Sequence, residues 1–336
     1  MKHSNIAFFI PHMGCPHQCS FCNQRVIAGQ EEVPSPQEIA EICAKTCAQM
    51  GEQERLNTEI AFFGGSFTAL PDATMRLYLD HVFPFVKEKK TAGIRVSTRP
   101  DAISDSVLAL LKEKGVTSIE LGAQSMDDAV LRQNKRGHSA KDVVIASEKI
   151  RSHGFSLGLQ MMVGLLGDSQ DTVLYTAKAL AACHPETMRI YPTVVLPGTY
   201  LEQCYLQGDY QPWGLEKTVH LCAQLLDFFE NQSIRVIRNG LHADDFFMKN
   251  MLEGPYHPAF GELCENQRFL NRVCRQIENL DCSCFQILVH PQSLSKMIGQ
   301  KRRNVKYLQE HGFRVKISTD ESLSQSSVVV KEILER

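Results

Sequence analysis

Short runs of β-forming residues alternate with amphipathic helical stretches over the first two-thirds of this 336-residue chain, and that rhythm leaves few folds open. Strands are predicted at Ile6–Ile10, Glu59–Phe63, Ile94–Ser97, Ser118–Leu121, Leu157–Val163 and Met188–Tyr191. Helical patterns lie between them at Pro36–Met50, Ala73–Glu88, Ser104–Lys114, Ala140–His153 and Ser169–Cys183. Ser35 before Pro36 and Ser104 read as helix caps, and Gly115 and Gly154 fall where helices should stop. Strands joined by helices form parallel sheets with right-handed crossovers. The fold class expected is therefore α/β, a partial (β/α) barrel, with its chemistry at the C-terminal ends of the strands. Glycines and polar residues do cluster just after each strand, at 14–22, 64–68, 98–101, 122–125 and 164–167. A further helix, Leu215–Asn231, and a strand, Ile234–Ile237, follow. The rhythm changes from about Leu241, so a boundary near Asp245 divides the chain into domains 1–245 and 246–336.

The loop after the first strand reads GCPHQCSFC. Cys15, Cys19 and Cys22 sit four and three positions apart, close enough to wrap one face of a metal cluster, and the next cysteine is Cys43. A 4Fe-4S cluster usually takes four thiolates. Three would leave one iron open, as a cluster that binds a cofactor or substrate requires. The alternative is a structural zinc with His12 or His17 as fourth ligand, but zinc sites commonly pair two such knuckles and no second knuckle is present.

Three cysteines at this spacing with an aromatic, Phe21, before the last resemble the signature of the radical S-adenosylmethionine (SAM) superfamily. The resemblance implies a 4Fe-4S cluster on Cys15, Cys19 and Cys22 whose open iron chelates SAM. A reductant such as flavodoxin or ferredoxin would drive cleavage of SAM to a 5′-deoxyadenosyl radical. It further implies that Gly64, Gly65 and Ser66, in GGSFT, lie at the cofactor's amino group. Ser66 stands where the superfamily often has an acid. Ser97 (in VSTRPD) and Gln124 (in ELGAQS) would sit on the ribose side, and Arg99, in the same VSTRPD run, is a further cofactor-binding candidate. Arg136, in NKRGHS, would pair the cofactor carboxylate, a task suited to a planar guanidinium. Gln160 and Met162 should point into or beside the barrel mouth. GGSFTALP, STRPD, ELGAQSM, NKRGHS and YPTVVLPGTYL, in this order over Asn5 to Arg238, look like the radical domain of the Elongator catalytic subunit, which modifies the wobble uridine of tRNA. That subunit also carries an acetyltransferase domain, for which residues 246–336 are too few, so acetyl-CoA chemistry is not expected here.

Composition bears on partners. With 36 basic and 38 acidic side chains the chain is not basic overall, so nucleic-acid contact would need a local patch. One is present: between Phe285 and Lys316 stand Lys296, Lys301, Arg302, Arg303, Lys306, Arg314 and Lys316 against the single acid Glu310. The same segment reads strand, helix, GQKR loop, helix, strand over Cys284–Thr319, and resembles a small α+β KH domain, whose GXXG loop clamps a nucleic-acid backbone. Lys296, Gly299, Lys301, Arg302, Arg303 and Lys306 are the candidate RNA contacts, with Arg302 in place of the loop's last glycine. A solvated helical face is the plain alternative. Cys264, Cys274, Cys282 and Cys284 match no ferredoxin spacing, which leaves open a second cluster or ordinary packing.

No apolar run reaches the ~18 residues of a membrane span. The apolar run Ile6–Ile10 is shorter than the roughly 7–15 residues of a signal-peptide core, so a cytoplasmic protein with no membrane partner is expected. The leading expectation is a radical SAM enzyme acting on RNA, tRNA foremost. A metabolic enzyme akin to the oxygen-independent coproporphyrinogen oxidases, and a non-catalytic iron–sulfur RNA-binding protein, are the rivals.

Overall fold

A computed structural model describes residues 4–16, 18–28, 33–241, 245–278, 280 and 282–333. Its contacts divide the chain into two compact units, Met1–Trp213 with Gln232–Pro255, and Gly214–Asn231 with Tyr256–Arg336.

The first unit is a curled half-barrel. Strands β1 (Ser4–Phe9), β2 (Thr58–Phe63), β3 (Gly93–Thr98), β4 (Val116–Gln124), β5 (Ser156–Val163), β6 (Thr187–Pro192) and β7 (Arg235–Asn239) lie side by side in chain order. Every pairing is parallel. This is the partial (β/α) barrel expected. Ser35 caps Pro36–Gln49 through a reciprocal capping box with Glu38, and Ser104 accepts from the Val107 amide at the start of Asp105–Glu113.

The two faces of the sheet differ in kind. Ile60, Phe62, Ile94, Val96, Ile119, Leu121, Leu157, Leu159, Met188 and Ile190 form the buried apolar face. The other set of alternate residues, in register across the strands, turns Glu59, Arg95, Ser97, Glu120, Gln160 and Arg189 into the lumen. An ordinary barrel packs branched apolar residues there. Here Arg95 Nε donates to Glu59 (2.7 Å) and Nη1 to Glu120 (2.9 Å). Arg189 pairs with Glu120 at 2.8 Å, and Gln160 Nε2 donates to the same carboxylate at 3.1 Å. Ser118 and Thr117 hydroxyls donate to Glu59 at 2.6 and 2.9 Å. Glu120 is the hub of this layer, 1% exposed and shared by two guanidiniums.

The second unit holds a three-stranded sheet in the order β10 (Val328–Glu332), β8 (Cys284–Val289), β9 (Arg314–Thr319), with β8 and β9 parallel and β10 antiparallel to β8. Between β8 and β9 run the helices Leu294–Ile298 and Arg303–Glu310, joined by the Gly299–Arg302 loop in the order expected from sequence. Helix Phe260–Ile277 packs Phe269, Leu270, Val273 and Ile277 into one core with Phe285, Ile287, Val289, Met297 and Leu308. It also meets the helix Leu215–Asn231, where Asp227 accepts from Arg268 (2.9 Å) and Arg272 (2.6 Å). Neither Phe260–Ile277 nor β10 was foreseen. No helix among the described residues is long and apolar enough to cross a membrane.

Removing one side of a buried ion pair strands the other charge, at a cost of about 3–5 kcal/mol. Glu120→Ala should therefore lower unfolding stability by about that amount, read from the shift in the urea transition against wild type. A loss below about 1 kcal/mol would mean the lumen charges do not depend on this carboxylate.

Candidate active site

The loop after β1 is built against the loop after β2 with almost no space between the two backbones. Ser66 N donates to the Met13 carbonyl (2.8 Å), and Met13 N to Ile10 O (3.3 Å). A Cβ at Gly65 would strike the Met13 carbonyl oxygen and come within 2.8 Å of Ile10 O; one at Gly14 would strike Ser66 O. Gly14 also has φ +72°, a conformation few side chains tolerate. Glycine at these two positions lets the cysteine loop lie flat on the GGSFT loop. Cys15 Sγ then lies 3.4 Å from Ser66 Oγ. Gln24 closes the arrangement, accepting from His12 N and donating to Gly64 O.

Other strand ends hold the far side of the cysteine loop. Arg136 Nη1 donates to Cys19 Sγ (2.8 Å) and Nη2 to Gly122 O (2.5 Å). Its guanidinium lies 6.0 Å from the ring centre of Phe21, so the aromatic of the motif shields this charge. Ser20 Oγ donates to Asn134 Oδ1 (2.6 Å), Ser20 N bonds Asn134 O (3.1 Å), and Leu201 N bonds Ser20 O (2.7 Å). The NKRGHS and LPGTYL segments thus grip the loop through its backbone.

The three thiols lie near enough to influence one another. Burial, then the Cys19 and Cys15 sulfurs, push the Cys22 thiol up, while Arg136 and Gln24 oppose this. Among the described residues no group of three His, Cys, Asp or Glu side chains closes to the spacing of a single metal ion. Three neighbouring thiols on one loop are a donor set that a polynuclear cluster can use; of the two histidines weighed for a zinc, His17 lies outside the described residues.

Most sequence candidates converge on this rim, at two depths. Gly64, Gly65, Ser66, Gln124 and Arg136 border the cysteine loop. Gln124, after a register shift in β4, has φ +67°, and its buried Oε1 has no partner. Arg136 Nε is likewise buried without a partner, and a Cβ at Gly122 would meet both side chains. An unpaired buried donor and acceptor on neighbouring side chains are what a polar ligand would satisfy, so the residues fit SAM beside a cluster. Ser97 and Gln160 sit deeper, joined at 3.4 Å and tied to Glu120. Arg99 takes another part: its guanidinium pairs with Asp101 (2.9 Å) and donates to the Arg136 carbonyl (2.5 Å), buttressing the loop that presents Arg136. Ser125 bonds Thr176 (3.2 Å), away from the rim.

Residues not singled out from sequence include His138, Gln24, Ser20, and the lumen charges. Burial, with Arg136 nearby, lowers the His138 imidazole to about 4, and its Nδ1 is unpaired. The lumen charges had a readable signal: β2, β3, β4 and β6 each hold one charged residue in an otherwise β-forming run.

In the second unit, Gly299 has φ 76° and ψ 159°, and Lys301 and Arg302 both adopt left-handed backbone (φ 51° and 62°). Asn304 holds the loop's base, donating to Lys296 O, Met297 O and Asn266 O. Lys296 pairs with Glu265 (3.5 Å) and Arg303 with Glu216. Lys301, Arg302 and Lys306 are exposed and carry no ion pair among the described residues. Cys264 and Cys222, on Leu215–Asn231, are free buried thiols beside each other, and no metal-binding group forms among the described cysteines of this unit.

Residues 9–180 match the model of the radical SAM superfamily, and residues 185–272 that of the radical SAM C-terminal domain. An uncharacterized protein of Methanocaldococcus jannaschii is 28% identical over 72% of this chain and 71% of its own length. A tRNA uridine(34) acetyltransferase of Dehalococcoides mccartyi is 25% identical over 62% of this chain and 52% of its own. Human Elongator complex protein 3 is 28% identical over 50% of this chain but 34% of its own length. The chain thus spans about half or less of those two relatives. The solved archaeal Elp3 of Methanocaldococcus infernus superposes with TM-score 0.63 at 18% identity, covering 84% of this chain and 64% of that one, a likeness of fold. With its half-barrel, its cysteine loop and a family model covering half its length, this chain belongs to the radical SAM superfamily, enzymes whose cofactors are a 4Fe-4S cluster and S-adenosylmethionine.

Proposed function

We propose that this enzyme generates a 5′-deoxyadenosyl radical and uses it to modify RNA, with a tRNA uridine as the target. The observation that carries the radical half is the joint between Arg136 and Cys19, which ties the cysteine loop to the strand-end residues Gly122 and Gln124. On this reading Cys15, Cys19 and Cys22 hold the cluster. When bound, cluster and SAM together supply a one-electron route to a primary carbon radical. The protein's own groups bind and orient. Gly64, Gly65 and Ser66 offer backbone and hydroxyl on one side, and the unpaired Gln124 Oε1 and Arg136 Nε offer an acceptor and a donor on the other. Ser97 and Gln160 would line the approach from the lumen, and Arg99 would hold Arg136 in place.

The RNA half is supported by the tRNA-modifying relatives and by the loop at Gly299–Arg302. Three exposed, unpaired cations next to a loop in glycine-favouring backbone suit a KH-like clamp on phosphates. Lys296 and Arg303, already paired with carboxylates, would contribute less.

Anaerobically reconstituted protein given dithionite and SAM should release 5′-deoxyadenosine, and Cys19→Ala should abolish release. Equal release by the mutant would end the radical reading. Binding of bulk tRNA should weaken steeply with salt. Lys301→Ala with Arg302→Ala should lower the slope of log affinity against log salt by about 0.7–0.9 per cation, and Arg303→Ala should change it less. A slope unmoved by the double substitution would remove the tail from RNA binding.

A further inference from the structure

At the β6–β7 side of the lumen two like charges stand directly opposite each other. Arg189 on β6 pairs in register with Arg238 on β7, so both side chains leave the same face of the sheet. Like charges opposed across neighbouring strands are destabilising, and one of the two is already accounted for. Arg189 is held by Glu120 at 2.8 Å and lies over the Phe63 ring at 4.9 Å. Arg238 is half-buried and donates Nε to its neighbour Gly240 O (3.1 Å), with no carboxylate partner among the described residues. In the lumen layer Glu59 and Glu120 answer Arg95 and Arg189, and Arg238 is the cation in excess.

Tyr191 stands beside this excess charge. Its hydroxyl accepts from Arg189 Nη1 at 3.4 Å; burial pushes the phenol up, and Arg189 and, less strongly, Arg238 oppose this. On β1 and β2, Phe9 and Phe63 are paired in register and half-buried, with ring centres 6.1 Å apart. The Arg189–Phe63 contact shows that groups from β6 and β2 reach each other across the lumen. The mouth therefore has a flat apolar side and a cationic side with a hydroxyl.

We propose that Arg238 and the Tyr191 hydroxyl form an oxyanion-recognition site for the substrate, and that the oxyanion is the phosphate of a nucleotide whose base meets the Phe9–Phe63 side. Rings that stack on aromatics and phosphates that pair with guanidiniums are the two handles every nucleotide offers. The inference rests on the RNA reading above and gives it a contact within the barrel.

Uridine 5′-monophosphate and inorganic phosphate, each titrated calorimetrically into reconstituted full-length enzyme holding SAM, test it. Arg238→Gln should weaken uridine 5′-monophosphate at least tenfold, with Tyr191→Phe weakening it less and Arg238→Lys restoring part of the loss. A tenfold loss confined to the nucleotide assigns the site to RNA phosphate, and an equal loss for inorganic phosphate assigns it to a free oxyanion. Identical affinities in wild type and Arg238→Gln, with the variant's thermal transition intact, overturn the site. Release of 5′-deoxyadenosine by the same wild-type preparation reports separately on the radical reading, so the two can fail independently.

Discussion

A sheet that turns charges into its own lumen is stable only if those charges neutralise one another. Glu120, on the central strand, meets that requirement by accepting from Arg95 on one side and Arg189 on the other. Burying a carboxylate without a partner is costly, so the two guanidiniums are what make its burial tolerable. The result is a polar floor fixed by geometry from β2 to β6, in place of the apolar filling of a closed barrel. A closed apolar core leaves no cavity beneath its mouth. A floor of paired charges instead presents fixed polar groups toward the strand ends, and the site stands on it.

The rim above that floor depends on contacts between loops. Gly14 and Gly65 admit two backbones to hydrogen-bond distance, and Arg136 ties the cysteine loop to β4. The same arginine is held from behind by Arg99, whose own charge is spent on Asp101. Cys15 and Cys19 are thereby placed by strand ends other than their own. A loop so restrained loses little freedom when it takes up a cluster, which is how preorganisation favours binding.

Local patterns were legible in the sequence and partnerships were not. The cysteine spacing is a property of consecutive residues, and the strands were visible because one face of each is apolar. That Glu59, Arg95, Glu120 and Arg189 meet depends on register between strands up to 69 residues apart, which no local pattern encodes. Arg99 and Arg136 are both buried loop arginines; the Asp101 pair of one and the Cys19 contact of the other separate a buttress from a residue at the rim. The helix Phe260–Ile277 was overlooked because its apolar stripe is interrupted by Asn266, Gln267 and Arg268, all buried among polar partners. The tail's basic run overstated its free charge, since Glu216 and Glu265 lie far away in sequence.

At the Gly299–Arg302 loop, left-handed backbone and positive charge fall on the same two residues. Two consecutive side-chain-bearing residues in left-handed backbone cost of order 1–3 kcal/mol each where little surrounds them. Here Asn304 fixes the base of the loop with three hydrogen bonds to carbonyls, so the strain is imposed by packing below and falls on Lys301 and Arg302 above. Those two residues are also cations without carboxylate partners. Conformation and charge thus coincide on the same pair, which makes this loop the part of the tail best suited to the phosphate contact proposed above.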